Sequence, residues 1–85
     1  MNTDQIKSAI ELGLKTTQVN VEGDGTHFQA LVVSQEFSGK SQVQRHQMVY
    51  KTLGSKVGGE IHALSIKALT PEEWENRKQF HIIQN

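Results

Sequence analysis

The chain has 85 residues, enough for one small domain with a single hydrophobic core. It contains no cysteine, which excludes disulfides, a cysteine nucleophile and any zinc or iron–sulfur site built from its own thiolates. Nine basic and nine acidic side chains cancel, so no global positive field attracts nucleic acid.

The first half of the chain predicts a helix followed by a β-hairpin. Apolar residues recur at helical spacing over residues 3–14, with Asn2 or Thr3 as the capping residue. Residues 17–23 alternate between apolar and polar and predict a strand. A Gly-Asp-Gly turn leads into a more apolar second strand over residues 27–33, so we expect the two strands to pair.

The second helix is predicted by a capping box and its end by glycines. Ser41 and Gln44 have the S-x-x-Q spacing in which two side chains cap the first turn reciprocally. The helix ends either at Gly54 or one turn later near Val57, before two further glycines.

A third strand and a last helix complete the chain. Residues 60–69 predict the strand. Thr70-Pro71-Glu72-Glu73 supplies a cap, a first-position proline and a third-position glutamate, and predicts a helix through about Phe80. We expect Trp74 to pack back onto the sheet.

The predicted order is α-β-β-α-β-α, an α+β fold of two layers with the helices on one face of a three-stranded mixed sheet. The strand–helix–strand unit over residues 28–68 should be a right-handed crossover with parallel strands. We expect one domain over residues 1–85, with its core over about residues 3–80.

Gly39-Lys40-Ser41 matches the end of a Walker A phosphate loop, but the rest of that motif is missing. Its first glycine would stand at position 34, which is Ser34, and one glycine is too few to cradle a diphosphate. The simpler interpretation is that Gly39 makes a turn and Ser41 caps the second helix.

Four histidines stand out in a chain without cysteine: His27, His46, His62 and His81. None has the spacing of a metal-binding helix. His27 opens the second strand and His62 lies near the start of the third, so parallel pairing would bring both to one end of the sheet. The alternative is that they are two unrelated, half-buried histidines.

A basic stripe for phosphate contacts is a second hypothesis, formed by Lys40, Arg45, Lys51 and Lys56. Against it, acidic residues flank the stripe, aromatic residues are few, and no glycine pair has G-x-x-G spacing. Alternatively, Arg45 lies on a solvated helix face and His46 packs against Tyr50.

Nothing in the sequence predicts an enzyme, because its serines lack a nucleophile-elbow sequence and no acid–base pair is evident. The N-terminus lacks the pattern of a signal peptide, and no apolar stretch reaches membrane-spanning length. We therefore expect a soluble cytoplasmic protein that makes no membrane contact.

Three features of the chain are specific in combination: "GDGTHFQALVVSQEFSGKSQVQRHQMVY", "IHALSIKALTPEEW" and the spacing between them. Together they resemble the BolA family, most closely its short bacterial IbaG-like branch. The runs F-x-G-x-S-x-x-x-R-H and H-A-x-S-I-K-A-x-T-P are distinctive in combination, and the similarity covers residues 19–74 in particular.

The resemblance implies a fold like the class II KH domain and a monothiol glutaredoxin as the protein partner. In such heterodimers a [2Fe–2S] cluster bridges the chains: the glutaredoxin supplies a cysteine and a bound glutathione thiolate, and the BolA-like chain supplies the histidine that matches His62. The family's second ligand comes from the loop between the first two strands, where His27 is the nearest candidate and Asp24 the alternative. The isolated chain is not expected to hold a cofactor.

The same resemblance implies a role in iron–sulfur trafficking, maturation, iron or redox sensing, or stress response. We expect the partner or nucleic-acid surface to include Lys40, Arg45, His46 and Lys67. Two other functions stay open: a KH-like transcriptional regulator that binds DNA, at most weakly given the neutral charge, and a scaffold that binds glutaredoxin without a cluster. A homodimer is a further hypothesis.

Overall fold

The structure is a computed structural model that describes residues 2–54 and 63–84, with side chains described as far as Arg77. Its elements are, in order, α1 (Thr3–Gly13), β1 (Gln18–Gly23), β2 (His27–Val33), a short 3₁₀ helix (Gln35–Phe37), α2 (Gln42–Leu53), β3 (Ala63–Leu69) and α3 (Pro71–Gln84). The α+β class and the order of helices and strands are confirmed. The 3₁₀ helix is an addition that the sequence did not predict.

The sheet has the order β1-β2-β3, with β1 antiparallel and β3 parallel to β2, so the predicted mixed sheet is confirmed. The register puts alternate residues on opposite faces. One face, which we call the covered face, carries Val19, Val21, Phe28, Ala30, Val32, Leu64, Ile66 and Ala68. The opposite face, which we call the open face, carries Asn20, Glu22, Gln29, Leu31, Ser65, Lys67 and Leu69.

The hydrophobic core lies between the covered face and the first two helices. Ile6 and Ile10 of α1 and Val49 of α2 are fully buried there, together with Phe37 of the 3₁₀ helix. This spacing of apolar residues makes each helix amphipathic and directs one side to the sheet. The expected placement of helices on one face therefore holds for α1 and α2, whereas Trp74 of α3 lies beside the open face.

Each of the three helices begins with a reciprocal side-chain cap. In α1, the Gln5 backbone N–H donates to Asn2 Oδ1 (2.8 Å) and the Asn2 backbone N–H to Gln5 Oε1 (3.0 Å). The predicted box at Ser41 has the same two bonds (3.2 and 2.9 Å), and a third lies at the start of α3. Such caps satisfy N–H groups that the first helical turn leaves without partners.

The ends of the second and third helices differ from the predictions in different ways. Gly54, with φ of 61°, ends α2 at the earlier of the two expected positions, and Val57 lies outside the described residues. The α3 helix continues to Gln84, beyond the expected end near Phe80.

The segment that resembles a phosphate loop is a turn and a cap, as the simpler interpretation predicted. Gly39 has φ of 76°, a left-handed conformation that favours glycine, and Ser41 caps α2. Where the motif requires its first glycine, Ser34 is buried and its Oγ donates to the Lys15 carbonyl at 2.6 Å. Ser34 therefore ties the loop after α1 to the end of β2 and does not contribute to an anion-binding site.

Arg45 is buried, so the interpretation that it lies on a solvated helix face is wrong. The residue is 6% exposed although it carries a charge. Its Nε donates to the Lys40 carbonyl and its Nη1 to the Ala68 carbonyl, both at 3.0 Å. The guanidinium also forms a two-pronged ion pair with Glu73, with distances of 2.7 and 3.3 Å.

These contacts explain why an arginine is tolerated in the interior. Its guanidinium presents donors in a rigid fork that matches a carboxylate and leaves further N–H groups for carbonyls. The Phe37 ring lies beneath it, with 6.0 Å between the guanidinium carbon and the ring centroid. Arg45 thereby joins α2 to the end of β3 and the first turn of α3.

We expect Arg45→Ala to lower the free energy of unfolding by about 2–4 kcal/mol, because two carbonyls lose their donor and Glu73 loses its cation. Urea denaturation measures the change. Lys51→Ala, which removes an exposed cation from the same helix, should change stability by less than about 0.5 kcal/mol. A loss no greater than that of Lys51→Ala would contradict a structural role for Arg45.

The Arg45–Glu73 pair also predicts a dependence of stability on pH. The hydrogen bond from Arg45, and next that from the Thr70 backbone N–H, lower the pKa of Glu73. A carboxylate whose pKa is lower in the folded state stabilises the fold above its unfolded pKa, and this contribution is lost as pH falls through the folded value. We expect Glu73→Gln to be less stable than the natural chain at neutral pH.

This difference in unfolding free energy should shrink as the pH falls below about 4.3, the ordinary pKa of a glutamate. Urea denaturation of both proteins at a series of pH values measures it. A difference that stays constant down to about pH 2.5 would show that the charge of Glu73 does not stabilise the fold.

Candidate ligand and partner surfaces

His27 is the first residue of β2 and its side chain is exposed. In the parallel pairing of β2 with β3 it lies opposite Ala63, the first described residue of β3. His62, which precedes Ala63 in the sequence, lies outside the described residues. The prediction that His27 and His62 share one end of the sheet stays a prediction.

Asp24 builds the turn that leads into His27. Its Oδ1 accepts hydrogen bonds from the backbone N–H groups of Thr26 and His27, both at 2.9 Å. These bonds, with that from His27 the larger, lower the pKa of the Asp24 carboxyl group. Asp24 therefore carries a negative charge at the start of β2, and one of its two oxygens is already occupied.

His27 lines a shallow hollow with a volume of about 430 Å³. Gly23 at the end of β1 and Asp24 in the turn border it, as do Ala63 and Ser65 on β3. Gly23 admits no larger residue, because an added Cβ would lie 2.5 Å from the His27 carbonyl oxygen. The close approach of the end of β1 to the start of β2 thus depends on this glycine.

The four residues predicted for a partner or nucleic-acid surface do not form one patch. Lys40 borders a hollow on the outer side of α2 together with Lys51 and Tyr50, whereas Lys67 lies on the open face of the sheet. His46 is half-buried in α2, and Arg45 is buried. Lys56, the last member of the predicted basic stripe, lies outside the described residues.

A groove on the open face was not predicted as a site. Trp74 and Arg77 of α3 border it, and Leu31, Lys67 and Leu69 lie on its strand side. Alternation in β3 could have placed Lys67 and Leu69 on this face, and the expectation that Trp74 packs onto the sheet was the second available signal. The orientation of α3 decides which face of the sheet it contacts. The spacing of apolar residues in the sequence does not determine that orientation.

The described side chains, those of residues 2–54 and 63–77, include no group of three or more histidine, aspartate or glutamate residues close enough to hold a metal ion. No helix in the described part of the chain combines the length and apolar character that crossing a membrane requires.

Comparison with known proteins gives a consistent family. The chain matches the family described as BolA-like protein over residues 7–73. It is 39% identical over 82 residues to the acid stress protein IbaG of Escherichia coli K12, covering 95% of this chain and 98% of that protein. It is 46% identical over 57 residues to human BolA-like protein 1, which covers 67% of this chain and 42% of the human protein.

Solved structures agree with the sequence relatives. A BolA protein homologue from Coxiella burnetii superposes with a TM-score of 0.79 at 46% identity, covering 88% of this chain and 97% of that one. The BolA domain of SufE1 from Arabidopsis thaliana superposes with a TM-score of 0.75 at 35% identity, covering 84% and 93%. In sequence and in fold, the chain belongs to the BolA family.

Proposed function

We propose that this BolA-family chain pairs with a monothiol glutaredoxin and that the two proteins together bind a [2Fe–2S] cluster, with His62 and His27 as the ligands from this chain. The observation that carries the proposal is the position of His27. Its imidazole is exposed at one end of the sheet, opposite the residue that follows His62. An exposed ligand suits a cluster that a second protein must also reach.

The donor chemistry is consistent with this division of ligands. The chain has no cysteine, so thiolates must come from the glutaredoxin and its glutathione. When bound, such a cluster supplies one-electron chemistry and transferable iron, and imidazole ligands raise its reduction potential relative to thiolates. His27 and His62 would bind as neutral imidazoles, because a protonated ring offers no lone pair.

His27 is a better second ligand than Asp24. One oxygen of Asp24 already accepts two backbone hydrogen bonds that hold the turn in place. His27 borders the open hollow beside Ala63, and its side chain is exposed. We therefore propose that Asp24 orients the strand start from which His27 reaches the iron.

We further propose that a cluster shared between the two chains serves iron–sulfur trafficking, maturation, or iron or redox sensing, and that it does so in the cytoplasm. One relative is named an acid stress protein. This name supports a role of the present chain in a stress response.

Nucleic-acid binding by the outer side of α2 is the second candidate. Lys40 and Lys51 border a hollow there, and Tyr50 is 38% exposed beside them. Cations with an accessible aromatic ring are the features that phosphate contacts and base stacking require. Binding of a single-stranded oligonucleotide that weakens with added salt, and weakens further in Lys40→Gln/Lys51→Gln, would favour this function.

The cluster proposal is tested by visible circular dichroism of a cluster-loaded monothiol glutaredoxin with glutathione, titrated with this chain. We expect the spectrum to change on addition of the natural chain and this change to disappear in His62→Ala. His27→Ala should alter or abolish it, because the proposal makes both imidazoles ligands. Lys51→Ala is the control, since this exposed lysine on the outer side of α2 belongs neither to the proposed ligands nor to the expected partner surface and should leave the spectrum unchanged.

Two outcomes would count against the proposal. If the spectrum does not change and no complex elutes from a sizing column, this chain does not pair with glutaredoxin. If a complex forms but neither His62→Ala nor His27→Ala affects it or its spectrum, the chain is a scaffold that binds glutaredoxin without holding the cluster.

Asp24 gives a separate prediction that distinguishes a turn residue from a ligand. Asp24→Asn keeps an oxygen that can accept the Thr26 and His27 N–H groups, whereas Asp24→Ala removes it. We expect amide hydrogen exchange at Thr26 and His27 to accelerate in Asp24→Ala, by about tenfold, and much less in Asp24→Asn. If Asp24 were instead an iron ligand, both variants would change the cluster spectrum equally.

A further inference from the structure

The groove between α3 and the open face of the sheet has the size of a small-molecule site. Its volume is about 440 Å³. Sites for small molecules have volumes of roughly 300–1,000 Å³, with mostly apolar walls and a few polar groups that fix orientation. We call it the open-face groove; Leu31, Leu69, Trp74, Lys67, Arg77, Asn20, Glu22, Gln29 and Ser65 border it.

One part of the open-face groove is apolar. Leu31 of β2 and Leu69 of β3 are half-buried there and lie on the same face of the sheet. Leu69 lies two residues beyond Lys67, the residue that pairs with Leu31. Trp74, also half-buried, borders the groove from α3. An indole presents a broad flat surface against which another flat apolar group packs well.

Two cations stand beside this apolar part. Lys67 pairs with Leu31 in the register of β2 and β3, and Arg77 follows Trp74 by three residues, which puts both on one side of the helix. Both cations are exposed, and the carboxylate of Glu73, on the same helix as Arg77, is already paired with Arg45. The positive charges of Lys67 and Arg77 are thus available to a ligand.

The opposite wall limits where an anion can bind. Asn20 and Glu22 belong to β1, which is two strands away from Lys67 on β3. Adjacent strands lie about 4.8 Å apart, so the backbones of β1 and β3 are roughly 10 Å apart across the groove. A negative group is therefore attracted to the side of β3 and α3 and repelled from the side of β1.

From this arrangement we propose that the open-face groove binds a small amphipathic carboxylate, with its flat apolar body against Leu31, Leu69 and Trp74 and its carboxylate facing Lys67 and Arg77. The site does not use His27, Asp24 or His62, and it needs no second protein. The inference therefore stands apart from the proposed cluster function, and either can fail without the other.

The sequence provides a direct reporter, because Trp74 is the single tryptophan of the chain. The probe is 4-phenylbutyrate, and 4-phenyl-1-butanol is the matched ligand with the same ring and no charge. We expect 4-phenylbutyrate to change the tryptophan emission in a saturable manner and to bind about tenfold more tightly than the alcohol.

The double variant Lys67→Gln/Arg77→Gln should remove this preference, so that the acid binds no more tightly than the alcohol. Lys51→Gln, which removes a lysine from the outer side of α2, should bind both ligands as the natural chain does. Urea denaturation confirms that the double variant is folded, and the two single variants replace it if it is not.

Three results would overturn the proposal. The first is equal affinity of the natural chain for the acid and the alcohol. The second is an unchanged preference for the acid in the folded charge variants. The third is emission that does not saturate with 4-phenylbutyrate up to its solubility limit.

Discussion

The guanidinium of Arg45 joins three parts of the chain that are distant in sequence: the residues before α2, the end of β3 and the first turn of α3. It does so through the carbonyls of Lys40 and Ala68 and the carboxylate of Glu73. A charge at 6% exposure is stable only because each of these partners is in place. The orientation of α3, and therefore the shape of the open-face groove, depends on this contact.

The contact of Arg45 with α3 lies at one end of β3, whereas the proposed ligand His27 lies at the other end of the sheet. Ala68, which binds Arg45, and Ala63, which pairs with His27, lie near opposite ends of the same strand. A strand rises about 3.3 Å per residue, so the two ends are separated by roughly 17 Å. The proposed ligand position of His27 and the anchored start of α3 are therefore structurally independent, which allows each to be tested by substitution without disturbing the other.

Capping and turn residues were readily predicted because their partners are close in sequence. Ser41 with Gln44 and Thr70 with Glu73 each meet within one helical turn, and their geometry does not depend on the rest of the fold. Asp24 likewise finds its partners two and three residues away. Ser34 shows the limit of this approach, because its partner, the Lys15 carbonyl, is 19 residues distant and its burial could not be foreseen.

The sequence by itself determined the order of elements, the mixed sheet, the caps and the family resemblance, because periodicity, turn residues and local motifs are written into neighbouring positions. Only the tertiary structure decided that Arg45 is buried and that Trp74 and Lys67 border one groove. Both results depend on where separate elements meet. An arginine on a helix is typical of a solvated face. Burial of Arg45 is favourable only because the fold places the Ala68 carbonyl and the Glu73 carboxylate within hydrogen-bonding distance of its guanidinium.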